Sequence, residues 1–256
     1  MDAGTRIPVG GAVVSSFTKG TVSACVDRAT ALRFLGHAGQ EMDPELADRF
    51  EQMAVRCEQR NAGRFVWVAD TVDLGATRWD GADACVVLQR SGLRLPGADG
   101  ANHLRGCSRV VLFAATLGQA CEQELRQLKA VNTLDFLLYD ACASALAEAV
   151  CEEVHRRVAK EARSCGLFAH ARFSPGYGDM PLSVQPAFLA AVDATKHLGL
   201  SCAESHLLVP TKSITAMVGL FEDQACADGA SPCGICPSHA YCNYLERGLT
   251  CHGCGL

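Results

Sequence analysis

The chain has 256 residues, of which 49% are hydrophobic and 20% are charged, and its formal net charge is −5. This composition is typical of a globular protein long enough for one large domain or two small ones. The negative charge argues against a nucleic-acid partner, and because no run of about eighteen apolar residues occurs, we expect no membrane partner either.

The N-terminus and the cysteines indicate the compartment. The first residues lack the basic and apolar regions of a secretory signal, so we expect a cytoplasmic protein. Its fifteen cysteines are then expected to be free thiols or metal ligands rather than disulfides. Ten of them lie in apolar segments, where packing is the simplest explanation.

The first elements in chain order are a lead-in and two helices. Residues 1–22 are small and polar with several glycines, which predicts a loose lead-in. Residues 24–36 carry a helical apolar pattern. Asp43 and Pro44 predict the start of a second helix, which ends near Arg60 and forms a hairpin with the first.

Three short runs rich in β-forming residues predict strands at residues 65–68, 84–88 and 109–115. The third is expected to be buried on both faces. It leads through residues 116–118 into a helix that begins near Gln119. Such a junction can present backbone N–H groups to a ligand, although an ordinary strand-to-helix connection explains it equally well.

Residues 133–163 carry the longest helical apolar stripe of the sequence, and its small residues allow close packing. Glu148 and Glu152 lie one turn apart at the border of this stripe. From the pattern alone, carboxylates in such a place usually face solvent.

A segment rich in proline and glycine follows at residues 172–181. Pro175 fixes its own φ, and the two glycines permit positive φ, which predicts a shaped loop rather than a helix or central strand. Arg172 offers a planar fork of donors for a carboxylate or phosphate, and Tyr177 offers a ring face and a hydroxyl. A turn between a strand and a helix would show the same residues.

Beyond this loop, residues 183–198 predict a helix that Gly199 ends, and residues 202–209 and 213–221 predict two strands. Helices and strands intermix, and the links between strands are short. The predicted fold class is therefore α+β, with a twisted, largely antiparallel β-sheet flanked by helices and with a long central helix.

Residues 225–256 form a cysteine-rich tail. Five cysteines lie within 22 residues of it: Cys233, Cys236, Cys242, Cys251 and Cys254. Few apolar residues surround them, so we expect a metal site, with disulfides or unpaired thiols as alternatives. Two Cys-x2-Cys pairs are close to a four-thiolate zinc knuckle, whereas the spacing to Cys242 also occurs in iron–sulfur proteins.

Residues 172–177 resemble the Arg-x-x-x-Gly-Tyr signature of the activation domain of cobalamin-dependent methionine synthase. Residues 174–181 look like the small stand-alone members of that family. The stretches 114–118 with 139–142 and 204–216 also match those members. The similarity covers roughly residues 24–254, and residues 23–224 are accordingly assigned to a methionine synthase activation-like domain.

The resemblance implies a ligand and a site. In that family the loop binds S-adenosylmethionine. When the cobalamin of the synthase has been oxidised to the inert Co(II) state, one electron reduces it to Co(I), and S-adenosylmethionine then methylates it. The residues carried over as ligand contacts are Asp140, Glu148, Arg172, Ser174, Gly176 and Tyr177. Glu148 would face the amino group or sulfonium, Arg172 the carboxylate and the backbone at Ser174 the adenine. Tyr177 would flank the side that faces the corrinoid.

The resemblance also implies partners. The chain shows no corrinoid-binding Asp-x-His-x-x-Gly motif and no folate or homocysteine module. We therefore expect an accessory subunit that acts on a separate cobalamin-dependent methionine synthase lacking its own activation domain. An electron donor such as flavodoxin or ferredoxin would serve it, and this low-potential chemistry favours an iron–sulfur cluster over zinc in the tail. The alternatives are an activator of another corrinoid methyltransferase and a non-catalytic adaptor with a structural zinc knuckle.

Overall fold

The computed structural model describes residues 17–107 and 109–227. The strands in these residues are β1 (Thr18–Val22), β2 (Gly63–Thr71), β3 (Cys85–Val87), β4 (Arg94–Pro96), β5 (Arg109–Thr116), β6 (Phe168–Phe173), β7 (Ser201–Cys202), β8 (Leu208–Val209) and β9 (Ser213–Phe221). The helices are α1 (Arg28–Phe34), α2 (Pro44–Arg60), α3 (Ala98–Leu104), α4 (Gly118–Val131), α5 (Thr133–Ser164), α6 (Gln185–Ala191), α7 (Ala194–Leu198) and α8 (Gln224–Ala227). A 3-10 turn at Leu182–Val184 precedes α6.

The main sheet has five strands in the order β1-β2-β5-β9-β6, and every neighbouring pair is antiparallel. Strands β3 and β4 form one small hairpin sheet, and β7 and β8 form another. Helices cover the main sheet, and α5 is a long helix that packs across it. The predicted α+β class, with an antiparallel sheet and a long central helix, is therefore confirmed.

Each face of the sheet has its own hydrophobic core. On one face, which we call the α5 face, Phe113 and Val218 pack with helices α1, α2, α4 and α5. On the opposite face Leu112 and Met217 pack with α3, α6, α7 and the small β3–β4 sheet. Strand β5 contributes to both cores and is buried on both faces, as its continuous apolar run predicts.

Helix α5 contains 32 residues and is about 48 Å long. Its start is fixed by Asn132, whose side chain accepts a hydrogen bond from the Asp135 amide at 3.1 Å. Small residues such as Ala141 and Ala145 let the sheet and neighbouring helices pack closely against it. No helix in the described part of the chain combines the length and apolar character that a bilayer crossing needs.

The cysteines of the described residues are free thiols, and several are buried: Cys57, Cys85, Cys107, Cys121, Cys142 and Cys151. Burial raises the pKa of Cys57, Cys107 and Cys121 to about 12, so these thiols stay uncharged near pH 7. They behave as small apolar side chains of the two cores, which agrees with the packing explanation.

The helix predicted over residues 183–198 is in fact two helices. Asp193 has a left-handed φ of 50°, which separates α6 from α7. Val192 and Leu198 are buried on either side of the break, so the apolar pattern continues across it and the sequence does not reveal it. Gly199 ends α7 with a left-handed φ of 71°, as predicted.

One strand prediction and one loop prediction also need correction. Residues 202–209 form a hairpin of β7 and β8 rather than one strand, and its turn holds His206 at a φ of 63°. Arg172 and Phe173 belong to the edge strand β6, so the predicted loop begins only at Ser174. Five elements of the described residues had no counterpart in the sequence analysis: strands β1, β4 and β6 and helices α3 and α8. Strand β1 lies within the segment predicted to be a loose lead-in.

Candidate functional site

A line of polar side chains runs along α5 at the border between its buried and exposed sides. Its members follow one another at four-residue spacing: Asp140, Ser144, Glu148 and Glu152. Residues four apart lie on one face of a helix, so these four groups form a continuous line, which we call the α5 polar line. The adjacent Ala141 and Ala145 are buried, so one side of the line meets the core.

Arg172 meets one end of the α5 polar line. Its Nη2 nitrogen lies 3.3 Å from Glu148 Oε2 and 3.7 Å from Glu152 Oε2. The Arg172 side chain is only 16% exposed, whereas that of Glu148 is 41% exposed. Burial opposes the charge of Arg172, but the adjacent Cys151, Glu148 and Glu152 together outweigh it and raise the pKa, so Arg172 remains a cation.

Lys212 meets the other end of the line. Its Nζ lies 2.7 Å from Asp140 Oδ1 and donates to Ser144 Oγ at 2.8 Å, and its side chain is 13% exposed. Asp140 and Glu148 are eight residues apart, which is about 12 Å along the helix. The line therefore has a partly buried cation at each end. Lys212 was not among the predicted site residues, because nothing in the sequence indicates its contact with a residue so distant along the chain.

The loop after β6 is a compact turn. The Tyr177 amide donates to the Ser174 carbonyl at 3.1 Å, and the Gly176 amide donates to the Met180 carbonyl at 2.8 Å. Gly176 has a φ of 94°, which favours glycine there. Tyr177 is 45% exposed, and its ring meets the Phe173 ring edge-on, with centroids 6.3 Å apart.

Helix α3 anchors this loop. The Asp179 carboxylate accepts hydrogen bonds from the backbone amides of Ala98 at 2.6 Å and Asp99 at 3.0 Å. In return, the Asp179 amide donates to Asp99 Oδ2 at 3.1 Å. A Cβ on Gly178 would lie 2.3 Å from that same oxygen, so glycine is required for the close approach. The sequence did not show this anchor, because α3 itself was not predicted.

The junction between β5 and α4 is an ordinary connection at Leu117 and Gly118. The Gly118 amide donates to Thr116 Oγ1 at 2.9 Å, and the Leu117 amide donates to the Lys212 carbonyl at 3.0 Å. These two N–H groups are satisfied within the protein, which favours the connection over a ligand cradle there.

The structure thus brings some of the predicted site residues together. Arg172 contacts Glu148, while Asp140 lies farther along the same helix line and pairs with Lys212. Ser174, Gly176 and Tyr177 follow Arg172 in the anchored loop. The predicted metal ligands lie outside the described residues: Cys233, Cys236, Cys242, Cys251 and Cys254. Within residues 17–107 and 109–227, no group of three or more His, Cys, Asp or Glu is arranged to hold a metal ion.

Comparison with known proteins identifies a similar fold. The crystal structure of the MetH reactivation domain bound to AdoHcy superposes with a TM-score of 0.56 and covers 91% of this chain and 87% of that chain. The two sequences are 15% identical, so the likeness is one of fold. No protein-family model matches the sequence, and none of the curated proteins matches it either.

Proposed function

We propose that this protein binds S-adenosylmethionine and supports reductive methylation of the cobalamin of a separate methionine synthase. The observation that carries the proposal is the likeness of fold, over 91% of the chain, to a MetH reactivation domain that binds AdoHcy. AdoHcy differs from S-adenosylmethionine by the sulfonium methyl group, so a site for one is a reasonable site for the other.

The charges along α5 suit this ligand. S-adenosylmethionine carries one carboxylate and two cationic groups, the ammonium and the sulfonium. Arg172 supplies a cation for the carboxylate, with Glu148 beside it for a cationic group. Glu148 is 41% exposed and can be reached from solvent. Asp140, near the far end of the line, is a second carboxylate for the same purpose.

The proposed role of the chain is to position the ligand. S-adenosylmethionine supplies the methyl group when bound, and the cobalamin belongs to the partner protein. Transfer between them needs a fixed approach rather than acid–base chemistry, so the residues must hold the ligand rigidly. The loop with Ser174, Gly176 and Tyr177 is suited to this because Asp179 ties it to α3. Tyr177, half exposed, would flank the side that meets the corrinoid.

We further propose that the chain has two parts with separate tasks. Residues 23–224 form the ligand-binding domain, and residues 225–256 form the metal-binding tail. Cys233, Cys236 and Cys242, together with Cys251 or Cys254, would hold one metal centre. An iron–sulfur cluster there would pass an electron from a flavodoxin or ferredoxin, whereas zinc would only stabilise the tail.

Calorimetry tests the first half of the proposal. Titration of the full chain with S-adenosylmethionine and with AdoHcy should give a measurable affinity for both. Addition of a methionine synthase that lacks an activation domain should then raise the affinity if the two proteins form one site. A chain that binds neither ligand would contradict the proposal.

A reactivation assay tests the second half. The synthase with its cobalamin in the Co(II) state is mixed with this protein, S-adenosylmethionine and a reductant, and methylation is followed by visible absorbance. Methylation that depends on this protein supports the proposal. Ligand binding without methylation of that synthase would instead indicate another corrinoid methyltransferase as the client.

A further inference from the structure

The edge strand β6 contains a β-bulge. Its position is set by the pairs on either side of it, which are Ala169 with Leu220 and Arg172 with Val218. His170 and Ala171 therefore lie together opposite the single residue Gly219 of β9. The bulge immediately precedes Arg172, the residue assigned to the ligand carboxylate.

The bulge decides on which face of the sheet Arg172 lies. Side chains of a regular strand alternate between the two faces, so residues 169 and 172 would normally lie on opposite faces. Because the bulge adds one residue to β6, Ala169 and Arg172 pair with Leu220 and Val218, which are two residues apart on β9 and lie on the same face. Ala169 packs on the core of the α5 face, and Arg172 reaches Glu148 on the same face. In a regular strand that kept the pairing of Ala169, Arg172 would point away from α5.

Two histidines on opposite sides of the sheet bind the carbonyl groups of the bulge. The Nε2 of His155, on α5, lies 2.9 Å from the His170 carbonyl oxygen. The Nε2 of His103, on α3, lies 2.9 Å from the Ala171 carbonyl oxygen. A carbonyl oxygen can only accept, so both ring nitrogens act as N–H donors.

The ring of His103 is held in place by its neighbours. It stacks on the His170 ring with centroids 4.2 Å apart and lies against Phe173 at 5.1 Å. Burial, together with the adjacent His170, lowers the pKa of His103 to about 4, so the ring is neutral near pH 7. The neutral ring then carries its proton on Nε2, where the Ala171 carbonyl accepts it.

We propose that His103 and His155 are positioning residues for the ligand: they hold the two bulge carbonyls and so keep Arg172 on the α5 face. The inference rests on the proposed function, because it assigns Arg172 to the carboxylate of S-adenosylmethionine. A β-bulge interrupts the regular register of the ladder, and each imidazole bonds the carbonyl of one of its two residues. Loss of an imidazole removes this support and favours regular pairing, which turns Arg172 to the opposite face of the sheet, away from Glu148.

The test compares two ligands that differ only in the carboxylate, S-adenosylmethionine and its decarboxylated form. His103→Leu and His155→Leu remove the donor, whereas His103→Gln and His155→Gln keep an N–H group. We expect each leucine variant to bind S-adenosylmethionine about tenfold more weakly and the decarboxylated form unchanged, with affinity retained in the glutamine variants. In an Arg172→Ala background the leucine substitutions should have no further effect.

A second measurement needs no ligand. The Nε–H signal of Arg172 in a proton–nitrogen spectrum, identified by its loss in Arg172→Ala, should exchange slowly with solvent in the wild type and the glutamine variants. It should exchange quickly in the leucine variants. If the wild type binds neither ligand, the proposed function fails, and this signal still decides whether the histidines hold Arg172.

The inference is overturned if the leucine variants weaken both ligands equally or leave the Arg172 signal unchanged. The two histidines act on different carbonyls, so if one leucine variant does not fold, the other still reports on the bulge. Loss of folding in both variants would also overturn it, because the histidines would then support the whole structure rather than Arg172.

Discussion

Arg172 is the residue on which ligand affinity should depend most. We expect Arg172→Ala to weaken binding of S-adenosylmethionine by about 1.5–3 kcal/mol, the range for a hydrogen bond to a charged group. Calorimetry measures this directly. Arg49→Ala is the matched control, because Arg49 of α2 also pairs with a carboxylate of α5, Asp135, which lies about 20 Å along the helix from Glu148. Equal affinity in the wild type and Arg172→Ala would remove Arg172 from the site.

Glu148 tests the acidic half of the pair. Glu148→Gln keeps the shape of the side chain but removes the charge, so the fold should persist while affinity for the cationic ligand falls by about 1 kcal/mol or more. Glu153→Gln is the control, because Glu153 also lies on α5 but pairs with Arg156 and Arg157 instead of Arg172. If both variants bind like the wild type, Glu148 is a solvated border residue, as the sequence pattern alone suggested.

His103 makes stability depend on pH. Its pKa is lowered to about 4 in the folded protein, mainly by burial, and would be about 6.5 in an unfolded chain. Between pH 6.5 and pH 4, His103 is protonated in the unfolded chain but not in the folded one. The contribution of His103 to folding stability is therefore complete above pH 6.5 and is lost as the pH falls towards 4. The loss attributable to His103 is on the order of 3 kcal/mol.

Urea unfolding at several pH values measures this contribution. Carboxylates titrate in the same pH range as His103, in the wild type and in His103→Gln alike. The contribution of His103 is therefore the difference in unfolding free energy between these two proteins. As the pH is lowered from 6.5 to 4, we expect the free energy of unfolding to fall less steeply in His103→Gln than in the wild type. Identical slopes would contradict the burial of His103 as a neutral ring.

At the scale of elements, the anchor between the loop and α3 is the feature to test. Asp179→Ala removes the acceptor for the amides of Ala98 and Asp99, and should cost about 0.5–2 kcal/mol of stability and also weaken the ligand. Asp43→Ala removes the corresponding cap of α2 and should cost similar stability without changing affinity. Urea unfolding and calorimetry on both variants separate these effects; unchanged affinity in Asp179→Ala would exclude the loop from the site.

The elements that the sequence predicted correctly have strong local patterns. Helix α2 begins with Asp43 and Pro44, and α5 carries more than eight turns of helical periodicity. Strands β5 and β9 are long apolar runs. Such patterns depend on neighbouring residues alone, so they can be recognised without knowing the fold.

The missed elements are held by contacts that are distant along the chain. Strand β1 is half polar and exists through its pairing with β2, and α3 takes its N-terminal cap from Asp179, 81 residues away. For the site, the chemistry of Arg172 and the loop could be predicted, and so could the spacing of Glu148 and Glu152. The pairing of Lys212 with Asp140 could not, because it depends on how β9 packs against α5.

At the scale of the whole molecule, residues 17–227 contain both hydrophobic cores of the described structure. A domain of this size does not normally require a metal to fold. We therefore expect a chain truncated after Ala227, which retains β9 and α8, to unfold cooperatively near the wild-type temperature and to bind S-adenosylmethionine with unchanged affinity. Thermal unfolding and calorimetry check both expectations.

The same truncation decides what the cysteine-rich tail does. The full chain should contain a metal that the truncated chain lacks, as measured by elemental analysis. A brown full chain that contains iron and absorbs visible light has an iron–sulfur cluster, whereas a colourless one with zinc does not.

If the tail holds an iron–sulfur cluster, the truncated chain should no longer reactivate a Co(II) client but should still bind S-adenosylmethionine. Cys233→Ser in the full chain is the matched variant and should lose both metal and reactivation. If the truncated chain reactivates the client at the full rate, the tail does not deliver the electron; if it fails to fold, the tail is structural.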